Sequence, residues 1–276
     1  MRYLILGAGA LGGYFGAMLI KGGADVTFLV RPRRAAQLKR DGLVVKTQDG
    51  DELRSQVRTV QQGQLEGTYD VVLLTCKAYD LEGAMDAIAP AMGEQSVIVP
   101  VLNGVRHIDA LKERFGARRV LGGITVINAA LEAGGIPVQI TDKILVMMWE
   151  KFFGFSCSAT IASLSRSRAG GIAQAAAGAS FVSTVIEECT QVVTAVGYPP
   201  LPAFDTAGQI RGAFSQANST YGPSMLIDME DGRPTEGEHT IGDLVERAVR
   251  AGVSTPILTA ARCNLQAYEI NRGGSR

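Results

Sequence analysis

The stretch that decides the fold is Leu4-Ile5-Leu6-Gly7-Ala8-Gly9-Ala10-Leu11-Gly12, followed by Gly13 and Gly16 and then by Val26-Thr27-Phe28-Leu29-Val30-Arg31. An apolar strand enters a glycine triplet spaced G-x-G-x-x-G, continues as a helix and returns as a second apolar strand. In such a unit the first glycine permits the tight turn. The second lets a pyrophosphate approach the backbone, and the third lets helix pack on strand. The helix start adds unpaired N–H groups and the positive end of its dipole. The triplet alone is a weak signal. Its strand–turn–helix–strand context makes Gly7, Ala8, Gly9, Ala10, Leu11 and Gly12 a dinucleotide-binding candidate rather than a bare glycine-rich turn.

Arg31 refines this. It stands at the end of the second strand, where an acidic residue would accept the ribose 2′-hydroxyl of NAD, whereas arginine suits the 2′-phosphate of NADP. A guanidinium keeps its charge at any working pH and binds phosphate through a planar fork. Arg33 and Arg34, after Pro32, read on their own as a solvated basic loop.

The 276 residues are comfortable for two domains. Equal numbers of acidic and basic residues, 27 of each, and 46% hydrophobic content indicate a globular chain with no electrostatic footprint for nucleic acid. No apolar run reads as long enough to span a bilayer, and no leader precedes the first strand, so a cytoplasmic protein is expected. Cys76, Cys157, Cys189 and Cys263 are scattered and read as reduced thiols. Two isolated histidines, His107 and His239, make a zinc site unexpected.

Through the first half, strand and helix alternate. Strands are read at 43–46, 69–75, 96–102 and 120–127, with helices at about 80–92 and from Asn103-Gly104 to Phe115. From Ile144 the rhythm becomes helical: 144–164, apolar nearly all round, then 169–196, 203–218, 234–252 and from Pro256 to the end. The expected fold is α/β: an N-terminal Rossmann-like doubly wound parallel sheet over 1–142, binding NADP, then an all-helical C-terminal domain over 143–276. Lys77 and Asn103 fall at carboxyl ends of parallel strands, where such sheets bind ligands.

Four polar positions invite chemistry. Glu150-Lys151 interrupts Trp149 and Phe152-Phe153, so one of the two charges turns inward. A buried lysine loses pKa toward neutrality and becomes a proton donor, while one that snorkels to the surface or pairs with Glu150 is merely structural. Asn103 either meets a ligand or ends a strand, and Lys77 divides the same way. Ser224 either contacts a carboxylate or caps a short helix. Thr235 and Glu238 fit a capping box, which leaves Glu236 free in a helix's first turn.

Taken together, Gly7 to Gly12, Lys77-Ala78, Asn103-Gly104, Trp149-Glu150-Lys151, Pro223-Ser224-Met225 and Thr235-Glu236 resemble, in order and context, the ketopantoate reductases (2-dehydropantoate 2-reductases), over nearly the whole chain. The resemblance implies NADPH-dependent reduction of a 2-keto acid to a 2-hydroxy acid. It implies Lys151 as general acid, Glu236 orienting the substrate hydroxyl, Asn103 and Ser224 binding substrate, and Lys77, Arg31 and Asn103 near the cofactor. The chain departs from the family at two points. Where the family carries asparagines one and two turns beyond the lysine, this chain has Phe155 and Ala159, so Phe155 is expected to border the substrate. The connection over 128–142 is also short, either a deletion or a gap in the numbering, where the family continues with another strand and helix. Two further readings stay open: a reductase of the same family acting on a more apolar 2-keto acid, and a non-catalytic NADP-binding sensor. The expected partner is a small 2-keto acid, with neither nucleic acid nor membrane; oligomeric state is not legible, and a homodimer is compatible with the reading.

Overall fold

A computed structural model describes residues 1–46, 52–124 and 141–274. The chain divides into two compact units. The first comprises residues 1–102 and 107–144, the second residues 103–106 and 145–276.

The first unit is built on a five-stranded parallel sheet. β1 (Arg2–Leu6) leads into α1 (Ala10–Lys21), then β2 (Asp25–Leu29) and α2 (Pro32–Asp41). β3 (Leu43–Lys46) and β4 (Glu52–Ser55) pair antiparallel as a separate hairpin. β5 (Arg58–Val60), β6 (Tyr69–Leu74), α3 (Leu81–Ile88), β7 (Met92–Pro100) and α4 (Arg106–Phe115) follow. The strand order is β5-β2-β1-β6-β7. Strand order reverses at β1, which lies between β2 and β6, so the crevice beyond the carboxyl end of β1 is the position where doubly wound sheets take ligands. Ile5, Phe28, Leu38 and Leu43 belong to one buried apolar cluster of this unit, and the hairpin strand β3 packs on α1.

Several sequence expectations change. Strand 43–46 forms, but in the hairpin rather than the main sheet. The strand that widens the sheet is β5, only three residues long and too short for an alternating pattern to reveal. The helix read at 80–92 is α3 flanked by 3₁₀ turns at Ala78–Asp80 and Ala89–Ala91, and β7 starts at Met92. Of the strand read at 120–127, Val120 makes a single bridge to Ile98; positions 125–127, like most of the short connection at 128–142, lie outside the described residues.

The second unit is helical: α5 (Ile144–Ser165), α6 (Ala169–Gln174), α7 (Gly178–Ala195), α8 (Thr206–Ala213), α9 (Ser224–Glu230), a π-helical turn (Glu238–Gly242), α10 (Asp243–Ala251) and α11 (Pro256–Gly274). The helix read at 169–196 is broken at Ala175, whose backbone is extended, and the one read at 203–218 is confined to α8, capped by Asp205 accepting from the Gly208 N–H. The expectation that no apolar run could span a bilayer is corrected by α5, which is long and apolar enough to cross one. It is the core helix of this unit instead: Met148, Trp149, Phe152, Phe153, Cys157 and Ile161 are all buried.

Candidate functional site

In the first unit, the turn after β1 is shaped by its glycines. Gly7 has φ +92°, in the left-handed region that side chains avoid. A Cβ on Gly12 would lie within contact of the Gly7 carbonyl and 2.5 Å from Thr75 Oγ1, so α1 can pack this closely only with glycine there. A Cβ on Gly9 would meet nothing within 4 Å. Gly9 therefore faces open space at the start of α1, where no side chain caps the helix and no acidic residue occupies the first turn. An anion meets unpaired N–H groups there without a competing carboxylate.

A pocket of about 1030 Å³ opens over this loop, lined by Gly7, Ala8, Gly9, Ala10, Arg31 and Asp80 among others. Its size and the glycine cradle fit a dinucleotide. Leu11 and Gly12 lie in α1 beneath the loop rather than on its lining, and Lys77 is exposed beside the neighbouring Cys76, which does line the pocket. Arg31 reaches the pocket, where it pairs with Asp80 at 3.1 Å. Arg34, read as a solvated basic residue, is committed instead: its Nε and Nη2 donate to the Ala8 carbonyl at 3.1 and 2.7 Å, clamping the glycine loop onto α2. Gln61, Gln62 and Asp80 also line the pocket and were missed by sequence reasoning. They lie on short connections whose placement depends on β5 and α3.

In the second unit, three candidates converge. Asn103 Nδ2 donates to Glu236 Oε2 at 3.1 Å, and the Glu236 charge acts on Lys151. Burial lowers the Lys151 pKa from its ordinary value, and Glu236 partly opposes this. The lysine of Trp149-Glu150-Lys151 is half-buried, within range of the Glu236 charge. Its neighbour Glu150 is the buried one of the two; it accepts from the Leu201 N–H at 2.9 Å and from the Thr206 hydroxyl, so it holds the loop before α8. Trp149 anchors the helix: it stacks on Tyr198 at 4.6 Å between ring centroids, under the Arg247 guanidinium. Residues two positions apart on an α-helix point about 200° from one another, so Lys151 lies on the other side of the helix from Trp149.

The capping box is overturned. Glu269 Oε1 accepts from both the N–H and the hydroxyl of Thr235, at 2.6 and 2.9 Å. Glu238 pairs instead with Arg262 at 2.7 Å and accepts from Gln266 at 2.9 Å. Glu236 consequently precedes the helix rather than occupying its first turn. The following turn is π-helical: Gly242 N–H donates to Gly237 O at 2.9 Å, and the Thr240 hydroxyl donates to Glu236 O at 2.7 Å. Such turns recur at functional sites because they re-aim the residues beside them.

Next to Asn103, Gly104 has φ +83° and packs against this turn: a Cβ there would stand 3.1 Å from the His239 carbonyl oxygen. Arg106 adds a bridge to Glu246 at 3.2 Å, and Glu246 also pairs with Arg262 at 3.1 Å. His239 is half-buried; burial and the Arg106 charge lower its pKa, and the Glu236, Glu238 and Asp243 charges oppose this. Phe155 lies one turn beyond Lys151, half-buried, and Ala159 is fully buried. Ser224 is exposed at the first position of α9, with Pro223 rather than the serine at the cap. No group of three or more potential metal ligands occurs among the described residues.

A doubly wound sheet whose glycine turn fits a dinucleotide, and a helical unit carrying a lysine–carboxylate–carboxamide cluster, point to the oxidoreductases as a class. The comparisons make this specific. Residues 3–146 match the profile of the family described as ketopantoate reductase PanE/ApbA, and residues 143–269 match that of its C-terminal region. The chain belongs to this family of oxidoreductases. A Bacillus subtilis relative, the uncharacterized oxidoreductase YkpB, is 33% identical over 307 aligned positions, covering 99% of this chain and all of that one. The 2-dehydropantoate 2-reductase of Mesorhizobium japonicum is 24% identical over 99% of both chains. Among solved structures, D-mandelate dehydrogenase with NADH and anilino(oxo)acetate superposes with a TM-score of 0.85 at 20% identity, covering 99% of this chain and 100% of that one. That likeness shows a common fold.

Proposed function

We propose that this chain reduces a 2-keto acid of the 2-dehydropantoate type to the 2-hydroxy acid with NADPH. The observation that carries the reading is Lys151, lowered in pKa by burial yet held beside a carboxylate that is itself fixed by Asn103. Family membership supports the reaction class. In this reading Gly7 to Gly12 hold the pyrophosphate, with Arg31 and Lys77 near the ribose and phosphates. The reduced nicotinamide, when bound, supplies the hydride. Lys151 gives its proton to the keto oxygen as that oxygen becomes a hydroxyl, leaving a neutral amine, the form burial favours. Glu236 accepts from the substrate hydroxyl, and Asn103 keeps that carboxylate in place. Ser224 takes the substrate carboxylate. The partner is a small free acid, with neither nucleic acid nor membrane, acted on in a reducing cytoplasm where the four free thiols persist; a homodimer is compatible with this reading.

The test is steady-state NADPH oxidation with a panel of 2-keto acids. Turnover with 2-dehydropantoate that disappears in Lys151→Ala is the expected result. Tight NADPH binding without turnover on any 2-keto acid would instead make this chain a cofactor-binding sensor.

Phe155 favours a second reading, a more apolar 2-keto acid. A phenyl ring cannot pair with a substrate hydroxyl, and an unpaired buried hydroxyl costs about 1–3 kcal/mol. Wild type should then show a higher kcat/KM for an apolar 2-keto acid than for 2-dehydropantoate, and Phe155→Asn should narrow or reverse the order. A strong wild-type preference for 2-dehydropantoate would refute it.

A further inference from the structure

The pocket over the glycine loop carries a charge pair of which one member, Asp80, has no part in the proposed function. Arg31 Nη2 donates to Asp80 Oδ1 at 3.1 Å, and both residues line the pocket. Asp80 ends the 3₁₀ turn that runs into α3, and its side chain makes no capping bond to that helix. Its carboxylate is given to Arg31 instead. The side chains are 83% and 43% exposed, so the pair is screened by water and adds little to folding. Its effect falls on whatever enters the pocket.

A 2′-phosphate arriving at Arg31 meets a guanidinium already bonded to a carboxylate, and brings its own negative charge against that carboxylate. A ribose 2′-hydroxyl is a donor, and a carboxylate accepts from it, as acidic residues do in NAD-binding sheets of this kind. Arg34 does not compensate, because its fork is committed to the Ala8 carbonyl and to Gln37 Oε1, the latter at 2.7 Å.

We infer that Asp80 is a cofactor-selectivity residue: by holding Arg31 and offering an acceptor to a ribose hydroxyl, it narrows the preference for the 2′-phosphorylated dinucleotide, so that NADH is also bound. The inference deepens the proposed function and rests on its assignment of Arg31 to the 2′-phosphate.

The experiment is titration of NADPH and NADH, by cofactor fluorescence and by calorimetry without substrate, into the wild type, Asp80→Asn, Asp80→Ala and Arg31→Ala, with melting temperatures as fold controls. Wild type should bind NADH within about tenfold of NADPH. Asp80→Asn should bind NADPH about three- to tenfold tighter and NADH equally or more weakly, with the NADPH gain shrinking as salt rises. Asp80→Ala should move the ratio of the two affinities the same way. Arg31→Ala should weaken NADPH alone. If Arg31→Ala weakens NADPH while both Asp80 variants leave the ratio of the two affinities within twofold of wild type, the inference is overturned and the Arg31 assignment stands. If Arg31→Ala leaves NADPH binding unchanged, the Arg31 assignment fails and the inference with it.

Discussion

Gly9 and Gly12 sit three residues apart in the same turn, and the structure separates their roles sharply enough to test. An alanine at Gly12 would put its methyl 2.5 Å from Thr75 Oγ1, about 0.9 Å short of ordinary contact, and closer still to the Gly7 carbonyl. Thr75 cannot simply swing away, because its hydroxyl donates to Leu6 O at 2.7 Å and ties β6 to β1. The obstacle on the other side is main chain, so α1 must move off the sheet. Overpacking costs about 1–3 kcal/mol, and a backbone clash belongs in the upper half of that range, about 2–3 kcal/mol. At roughly 2–4 °C per kcal/mol for a chain near this size, Gly12→Ala should lower Tm by roughly 4–12 °C. Gly9→Ala meets nothing within 4 Å and has φ −78°, which alanine adopts freely. It should cost at most about 1 kcal/mol, the difference between glycine and alanine as a helix cap. Its methyl would nevertheless stand where the pyrophosphate must approach. Loss of charge-assisted bonds worth about 1.5–3 kcal/mol should weaken NADPH about ten- to a hundredfold. Differential scanning fluorimetry and a fluorescence titration on both variants suffice. Wild-type affinity in Gly9→Ala, or a wild-type Tm in Gly12→Ala, would refute the reasoning for that residue.

Lys151→Ala should lower kcat by about 10²–10⁴ while leaving the Kd for NADPH nearly unchanged; a near-normal kcat would make the lysine a packing residue. Reduction should fall as pH rises through the lowered Lys151 pKa, because the proton donor is lost there, and Glu236→Gln, by removing the charge that raises that pKa, should move the fall to lower pH; a pH profile with no shift contradicts this. Glu188 is buried on α7 and accepts from the Ile257 and Leu258 N–H groups at 3.0 and 3.1 Å, capping α11 from another helix. Glu188→Ala leaves both donors without this acceptor and should cost about 2–3 kcal/mol, read as a lower Tm with unchanged NADPH affinity.

What could be read in advance follows the range of the forces involved. The β1–α1–β2 unit was legible because its constraints are local: Gly7 and Gly12 answer to residues within the same turn or the strand beside it. Helix α5 was legible in extent because Ile144 to Ser165 is mostly apolar, contains no proline and has a single glycine, Gly154. The break at Ala175 was not, since an alanine-rich run satisfies helix propensity on either side of it. The capping box failed for a related reason. Thr235 and Glu238 have the right spacing, but Glu269 and Arg262, on a distant helix, supply stronger charged partners. Local pattern sets what a residue can do, and tertiary neighbours decide which of those things it does.

The candidate site shows the same division at its centre. Asn103 and Glu236 are 133 residues apart, and no periodicity joins them. What brings them together is Gly104, which admits the His239 carbonyl, and the π-helical turn, which displaces Glu236 from the helix the sequence would have given it. The displacement has a chemical consequence. In a regular first turn, a carboxylate is stabilised by the helix dipole and belongs to the helix. Set before the turn and buried, Glu236 instead shares its charge between the Asn103 amide and Lys151. A lysine buried alone would surrender its proton too early to act as an acid, and one locked into a close ion pair would not surrender it at all. Burial lowers the Lys151 pKa, and the Glu236 carboxylate, already engaged by Asn103, works against that lowering. The proton-donor reading of Lys151 thus depends as much on Asn103 and the π-helical turn as on the lysine itself.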